Sequence, residues 1–300
     1  MIRGFDRSFS FLTFAVVVAL SSTSLIAAEP FQLKDQDRVV FLGATFVERE
    51  GQFGYLETAL TTAWPDRQIT FRNLGWSGDT VWADSRGIFD PPHVGYQRML
   101  ELVKELKPTV IVFGYGQNES YAGDAGLESF VRQFEKLCDD LKPMNARFVF
   151  LTPTRLERPV PPLPDASRQN SMLAKYAEAV RQLASHRDAP VIDLFALDLP
   201  SAKLTENGMH FGPDGYAAIA QAVRKQLKLE PRGLTSVQEE QIRQQIVEKN
   251  MLFFHRWRPQ NITYLTGFRK HEQGNNAVEI AQFDPLVEQI EVKVNELKKP

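Results

Sequence analysis

Short runs of adjacent apolar residues punctuate the chain and alternate with stretches of helical periodicity. Val39-Val40-Phe41-Leu42, Val110-Ile111-Val112-Phe113 and Phe148-Val149-Phe150-Leu151 are unbroken apolar runs. Continuous rather than alternating hydrophobicity suits strands covered on both faces, as in a parallel sheet. The pattern predicts strands over Arg38–Leu42, Ile69–Asn73, Thr109–Phe113, Arg147–Leu151 and Val191–Leu194. Leu127, Phe130, Val131, Phe134, Leu137, Cys138 and Leu141 recur at the 3.6-residue spacing of one helix face. Tyr176, Val180 and Leu183 mark another helix. Pro213 opens a third, running to about Leu227, at a first-turn position its fixed φ suits. Such alternation predicts an open α/β domain, a five-stranded parallel sheet with helices on both faces and right-handed crossovers.

Both ends of the chain depart from this pattern. Residues 1–28 read as a signal peptide: Arg3 and Arg7, an apolar run from Phe11 to Leu20, then small residues up to Ala27-Ala28. The run is shorter than the ~20 residues of a membrane span. The expectation is export to the periplasm or the exterior, with no membrane span after cleavage. Beyond residue 230 no strand is predicted. Ser236-Val237-Gln238-Glu239 reads as a capping box opening a polar helix toward Met251. Residues 252–274 are rich in aromatics and cations, and Leu286, Ile290 and Leu297 form a last apolar stripe. The division is thus a domain over 29–230 and a helical or irregular extension, 231–300, packed on it. The cations His255, Arg256, Arg258, Arg269, Lys270 and His271 are expected to pin the extension through salt bridges.

Composition narrows the function. Thirty-five Lys+Arg balance 37 Asp+Glu, so no basic footprint for nucleic acid exists. The single cysteine, Cys138, rules out an intrachain disulfide and a Cys-based zinc site, and its place on an apolar helix face makes it a packing residue. Gly114-x-Gly116 lacks the third glycine of a dinucleotide loop. No metal and no cofactor is expected, and nothing sets an oligomeric state.

Open α/β sheets place ligands beyond the carboxyl ends of their strands. There the chain carries Gly43-Ala44-Thr45, then Asn73 to Thr80, then Gly114 to Glu119, and finally Thr205 to His210. Hydroxyl, imidazole and glycine-exposed N–H groups are the parts of an acyl-transfer site. In this order the segments resemble the blocks of the SGNH (GDSL-type) hydrolase family, over Arg38 to Leu227. The resemblance implies a flavodoxin-like fold. It implies Thr45 at the nucleophile position, Gly78 and Asn118 in the oxyanion hole, and His210 as the base. Ala44 stands where the family has Asp, Thr45 where it has Ser, and Asn207 at the triad acid, three residues before the His. The chain is also similar to a bacterial exported subgroup reading Gly-Asp-Thr in block I and Thr-Asp-Asn-Gly-Ile-His in block V. There the acid lies four residues before the His, which maps onto Glu206. Trp76 and Tyr115 would stack a sugar or pack inside.

The function implied is an exported esterase acting on acyl esters, acetyl included, on a small molecule or carbohydrate. The alternative is a catalytically impaired relative of the same fold that binds a glycan or other ligand. Ala44, Thr45 and Asn207 motivate it.

Overall fold

The structure is a computed structural model and describes Met1 and residues 31–200 and 203–299. The expected signal peptide lies outside the described residues.

Five strands form one sheet: β1 (Arg38–Gly43), β2 (Thr70–Asn73), β3 (Val110–Gly114), β4 (Arg147–Leu151) and β5 (Val191–Ile192). Their order is β2-β1-β3-β4-β5 and every pairing is parallel. This is the flavodoxin-like order, in which the chain changes direction between β1 and β3 and opens a crevice at their carboxyl ends. Phe41 and Val112 point to one face and Leu42 and Phe113 to the other, so both faces need cover. On one side lie α3 (Pro92–Glu105), α4 (Gly123–Leu141) and α5 (Asn170–His186); on the other lie α1 (Thr45–Phe53), α2 (Tyr55–Thr62) and α6 (Pro213–Leu227). Cys138 is fully buried on α4, and burial pushes its thiol up to about 12.

β5 ends at Ile192, two residues short of the predicted strand. Asp193 turns the chain there. Its carboxylate accepts from Thr152 Oγ1 (2.9 Å) and the Ala196 N–H (3.2 Å) and pairs with Arg181 (2.8 Å).

Gly54, in the left-handed region at φ 69°, separates α1 from α2. Glu50 stabilises that break. Its Oε1 accepts from the Leu56 and Glu57 N–H groups at 2.6 and 3.0 Å, while buried Oε2 has no partner among the described residues. Burial pushes its carboxyl up to about 8. Between the ordinary 4.5 and about 8, the native state therefore holds a proton that the unfolded chain releases. Stability falls as pH rises across that window. Glu50→Gln, isosteric with the protonated acid, is expected to flatten the decline of Tm with pH. Parallel Tm–pH curves for the two proteins would contradict this.

Beyond α6 the chain forms α7 (Ser236–Trp257), two one-turn helices, α8 (Ile262–Leu265) and α9 (Lys270–Gln273), and α10 (Phe283–Leu297). The capping box sits one residue earlier than predicted. Thr235 is the cap because its hydroxyl accepts from the Gln238 N–H while Gln238 Oε1 accepts from the Thr235 N–H. α7 also continues past Met251, burying Phe253, until Pro259 forbids another turn. It docks on the sheet domain through the buried Lys249–Glu57 pair, and Asn250 Nδ2 donates to the same carboxylate at 3.0 Å. Arg256 pairs with Glu105 and Asp284, and Arg258 with Glu48. Among the described residues, no helix is long and apolar enough to cross a membrane.

Candidate active site

Thr45 opens α1 directly beyond β1, so its side chain stands at the crevice. Ala44, buried at the N-cap, offers no side-chain cap, and its N–H donates to Gly114 O at 3.1 Å. The Thr45 hydroxyl accepts from the Gly78 N–H at 3.1 Å. The first and second blocks therefore meet.

The second block is pinned from three sides. Asn73 Nδ2 donates to Val47 O (2.6 Å), and its Oδ1 accepts from the Gly75 N–H (2.8 Å). Gly75 has no alternative, since an added Cβ would lie 2.1 Å from Glu48 N. Glu48 accepts from the Ser77 N–H (2.9 Å) and hydroxyl (2.8 Å), and it is held in turn by Arg258 at 2.5 Å. The Arg258 guanidinium lies 3.7 Å from the centre of the Trp76 ring. Gly78 adopts φ 77°, which turns its N–H toward Thr45.

The third block is joined to the second by two groups. Asn118 Nδ2 donates to Asp79 O at 2.7 Å, leaving its other N–H for a ligand. Glu119, buried, accepts from the Val81 N–H (2.9 Å) and the Gly116 N–H (2.8 Å). Burial pushes its carboxyl up to about 7. Behind it, Asp79 and Arg86 form a buried ion pair at 2.6 Å, and Arg86 also donates to Leu74 O. Glu119 and Arg86 were missed from sequence as organisers of these loops. The signal for Glu119 was its place beside Asn118.

His210 lies in the loop before α6, and that loop is seated on α1. The rings of Phe211 and Phe46 meet edge to face, and Arg49 donates to Phe211 O at 3.1 Å. Desolvation first, and then the Arg49 charge, holds the His210 imidazole below its ordinary value, so the ring is neutral at pH 7. Asn207 fixes its tautomer. Asn207 Oδ1 accepts from the Met209 N–H (3.1 Å) and the His210 N–H (2.9 Å). Its Nδ2 must then be the atom 3.3 Å from His210 Nδ1. An amide N–H aimed at Nδ1 makes that nitrogen the acceptor and leaves the ring proton on Nε2. A general base needs the opposite, a lone pair on Nε2.

The remaining expectations fare as follows. Glu206 makes no hydrogen bond to the His210 ring among the described residues; its carboxylate pairs with Arg49 at 2.7 Å. Tyr115 is packed inside the fold, at the wall of the cavity beside Thr45. It is 1% exposed, packs edge-on against Phe134, and its hydroxyl donates to Asp79 at 3.3 Å. Trp76 is not an open platform either, with Arg258 over its ring and Trp257 at its edge. No hydrogen bond joins Thr45 to His210 among the described residues. A narrow cavity of about 20 Å³ lies beside Thr45, lined also by Asn118, Gln117, Leu151 and Thr154. No cluster of three or more metal-ligating side chains occurs among the described residues.

The profile of the GDSL-like lipase/acylhydrolase family matches residues 42–218. The chain belongs to that family. It is an ester-hydrolysing enzyme on that ground. Among solved structures, it resembles an acetyl-xylooligosaccharide esterase from Geobacillus stearothermophilus, studied as a mutant. That likeness has 19% identity, 68% of this chain, all of the other and a TM-score of 0.53. A second mutant of that esterase, named as a catalytic mutant, matches at 18% identity with the same coverage and TM-score. A gut microbial diltiazem-metabolizing enzyme matches at 20% identity over 66% of this chain, with a TM-score of 0.50; the chain spans 48% of its length. At these identities the likeness is one of fold. A search of curated proteins found no match.

Proposed function

We propose that this family member is an exported esterase for short acyl esters, acetyl esters of carbohydrate above all. Thr45 attacks the carbonyl, and His210, in the minor tautomer protonated at Nδ1, takes its proton at Nε2 and returns it to the leaving alcohol. The Thr45 N–H, the Gly78 N–H and the free N–H of Asn118 receive the oxyanion. The observation that carries this reading is the meeting of Thr45 Oγ1 with the Gly78 N–H at 3.1 Å, beside the Asn118 amide. The narrow cavity suits an acetyl methyl and not a long acyl chain, for it holds little more than one water-sized group. The esterase named for acetyl-xylooligosaccharides favours the same substrate class. Export rests on the N-terminal segment alone.

A panel of aryl and sugar acetates against longer acyl esters tests the proposal. Acetyl esters are expected to turn over fastest. Asn118→Ala is expected to lower kcat by about 10²–10³, the usual cost of one oxyanion donor. Equal rates for the variant and the wild type, with matching melting curves, would remove Asn118 from the site.

One observation favours a second reading. Asn207 holds His210 in the tautomer that cannot take a proton at Nε2, so turnover is slow and the pocket serves chiefly to bind a glycan or other ligand. Tight binding of acetylated saccharide without measurable release of acetate would favour it.

A further inference from the structure

The loop carrying His210 surrounds one side-chain amide with the parts of an acyl-transfer site, and that amide belongs to the protein itself. Asn207 is followed by Gly208, which has φ 90° and no room for a side chain, since an added Cβ would lie 2.7 Å from Glu157 O. The Gly208 N–H donates to Thr205 Oγ1 at 3.0 Å, and the Thr205 hydroxyl donates to Glu157 Oε2 at 2.5 Å. That line of hydrogen bonds leads from the Gly208 nitrogen to a carboxylate, which also accepts from the Leu204 and Thr205 N–H groups. Two N–H groups, of Met209 and His210, point at Asn207 Oδ1 from 3.1 and 2.9 Å. They sit where negative charge develops when Cγ is attacked. Asn207 Nδ2, the departing nitrogen in such an attack, lies 3.3 Å from His210 Nδ1.

We propose that Asn207-Gly208 is a self-deamidation site, and that conversion of Asn207 to aspartate completes the hydrolase triad. The second half rests on the esterase reading above. The Gly208 nitrogen forms a bond to Asn207 Cγ as its proton passes through Thr205 to Glu157. The Cγ–Nδ2 bond then breaks, the leaving nitrogen takes a proton from water, and ammonia departs. Water adds to Cγ of the cyclic imide and the Gly208 nitrogen is released with a proton. The product carries an aspartate side chain at position 207 with the backbone restored, and Glu157 returns its proton to the hydroxide that the water left. The new carboxylate keeps both backbone donors on one oxygen and turns the other toward His210 Nδ1.

The experiment uses the full-length wild-type protein, held for days in warm neutral buffer. Mass spectrometry follows the tryptic peptide 204–224, and acetyl-ester hydrolysis is assayed in parallel. The peptide is expected to gain one dalton, with fragmentation placing aspartate at position 207. Hydrolysis is expected to rise at least about tenfold in step with it, given the leverage of the triad acid. Glu157→Gln is expected to convert more slowly. An unchanged peptide mass overturns the proposal, as does conversion to isoaspartate with flat activity. Equal conversion rates for Glu157→Gln and wild type remove the proton path. The Asn207→Asp variant separates the two ideas. If it is highly active while the wild-type mass stays constant, deamidation fails alone. If it is as slow as unconverted wild type, the triad reading fails.

Discussion

Asn207→Asp is expected to raise kcat for acetyl-ester hydrolysis by about 10²–10⁴. In Ser-His-Asp hydrolases the reverse change costs about 10⁴ because it leaves the imidazole in the wrong tautomer. The geometry here predicts the same fault. Asn207 Oδ1 is committed to the Met209 and His210 N–H groups, so only Nδ2 faces the ring. Aspartate keeps those two acceptor bonds and presents a second oxygen to Nδ1. The ring proton then moves to Nδ1, Nε2 gains its lone pair, and the imidazolium formed in the reaction faces a negative charge. The neighbouring carboxylate also raises the His210 pKa from its lowered position, readable by NMR titration. Steady-state kinetics on an aryl acetate provide the rate. A rate unchanged within experimental scatter, with the expected rise in pKa, would mean that His210 is not the base.

Thr45→Ala combined with Asn207→Asp is expected to lower kcat by about 10³ or more relative to Asn207→Asp alone, leaving only the rate supplied by binding and the oxyanion donors. The hydroxyl accepts one hydrogen bond, from the Gly78 N–H, so the melting temperature shifts little. Thr45→Ser removes a methyl group that crowds the tetrahedral carbon and restricts χ1, and is expected to react faster than the parent. Covalent labelling by a fluorophosphonate should occur with Thr or Ser at position 45 and vanish with Ala. Persistence of labelling in the alanine variant would transfer the nucleophile to another hydroxyl, with Ser77 the first to test.

The parallel sheet was legible because burial on both faces writes itself into contiguous residues, as in Val110-Ile111-Val112-Phe113. The four loops were legible through short motifs at strand ends. Pairings over long separations were not. Glu206 has Arg49 as its partner 157 positions away, and no local pattern tells a carboxylate which of two cations it will meet. Tyr115, flanked by two glycines at a strand end, reads like a residue on an open lip. The placement of Phe134 on α4, with Met99 on α3 and Asp79 in the second block, encloses it. The end of β5 escapes the local pattern for a similar reason, since Asp193 turns the chain by bonds to Thr152 and Arg181 on other elements. α3, which starts at Pro92, is hidden in the sequence, because its apolar residues do not form a run that stands out from the loop before it.

Arg258 has a practical consequence for anyone shortening this gene. Expression boundaries drawn around the sheet alone would discard the guanidinium that steadies Glu48 and, through it, Ser77 beside Gly78. They would also strand the Glu57 carboxylate, which is 3% exposed, without Lys249 or Asn250. A trimmed product would thus carry every block of the hydrolase signature yet be poorly soluble and slack at the catalytic rim.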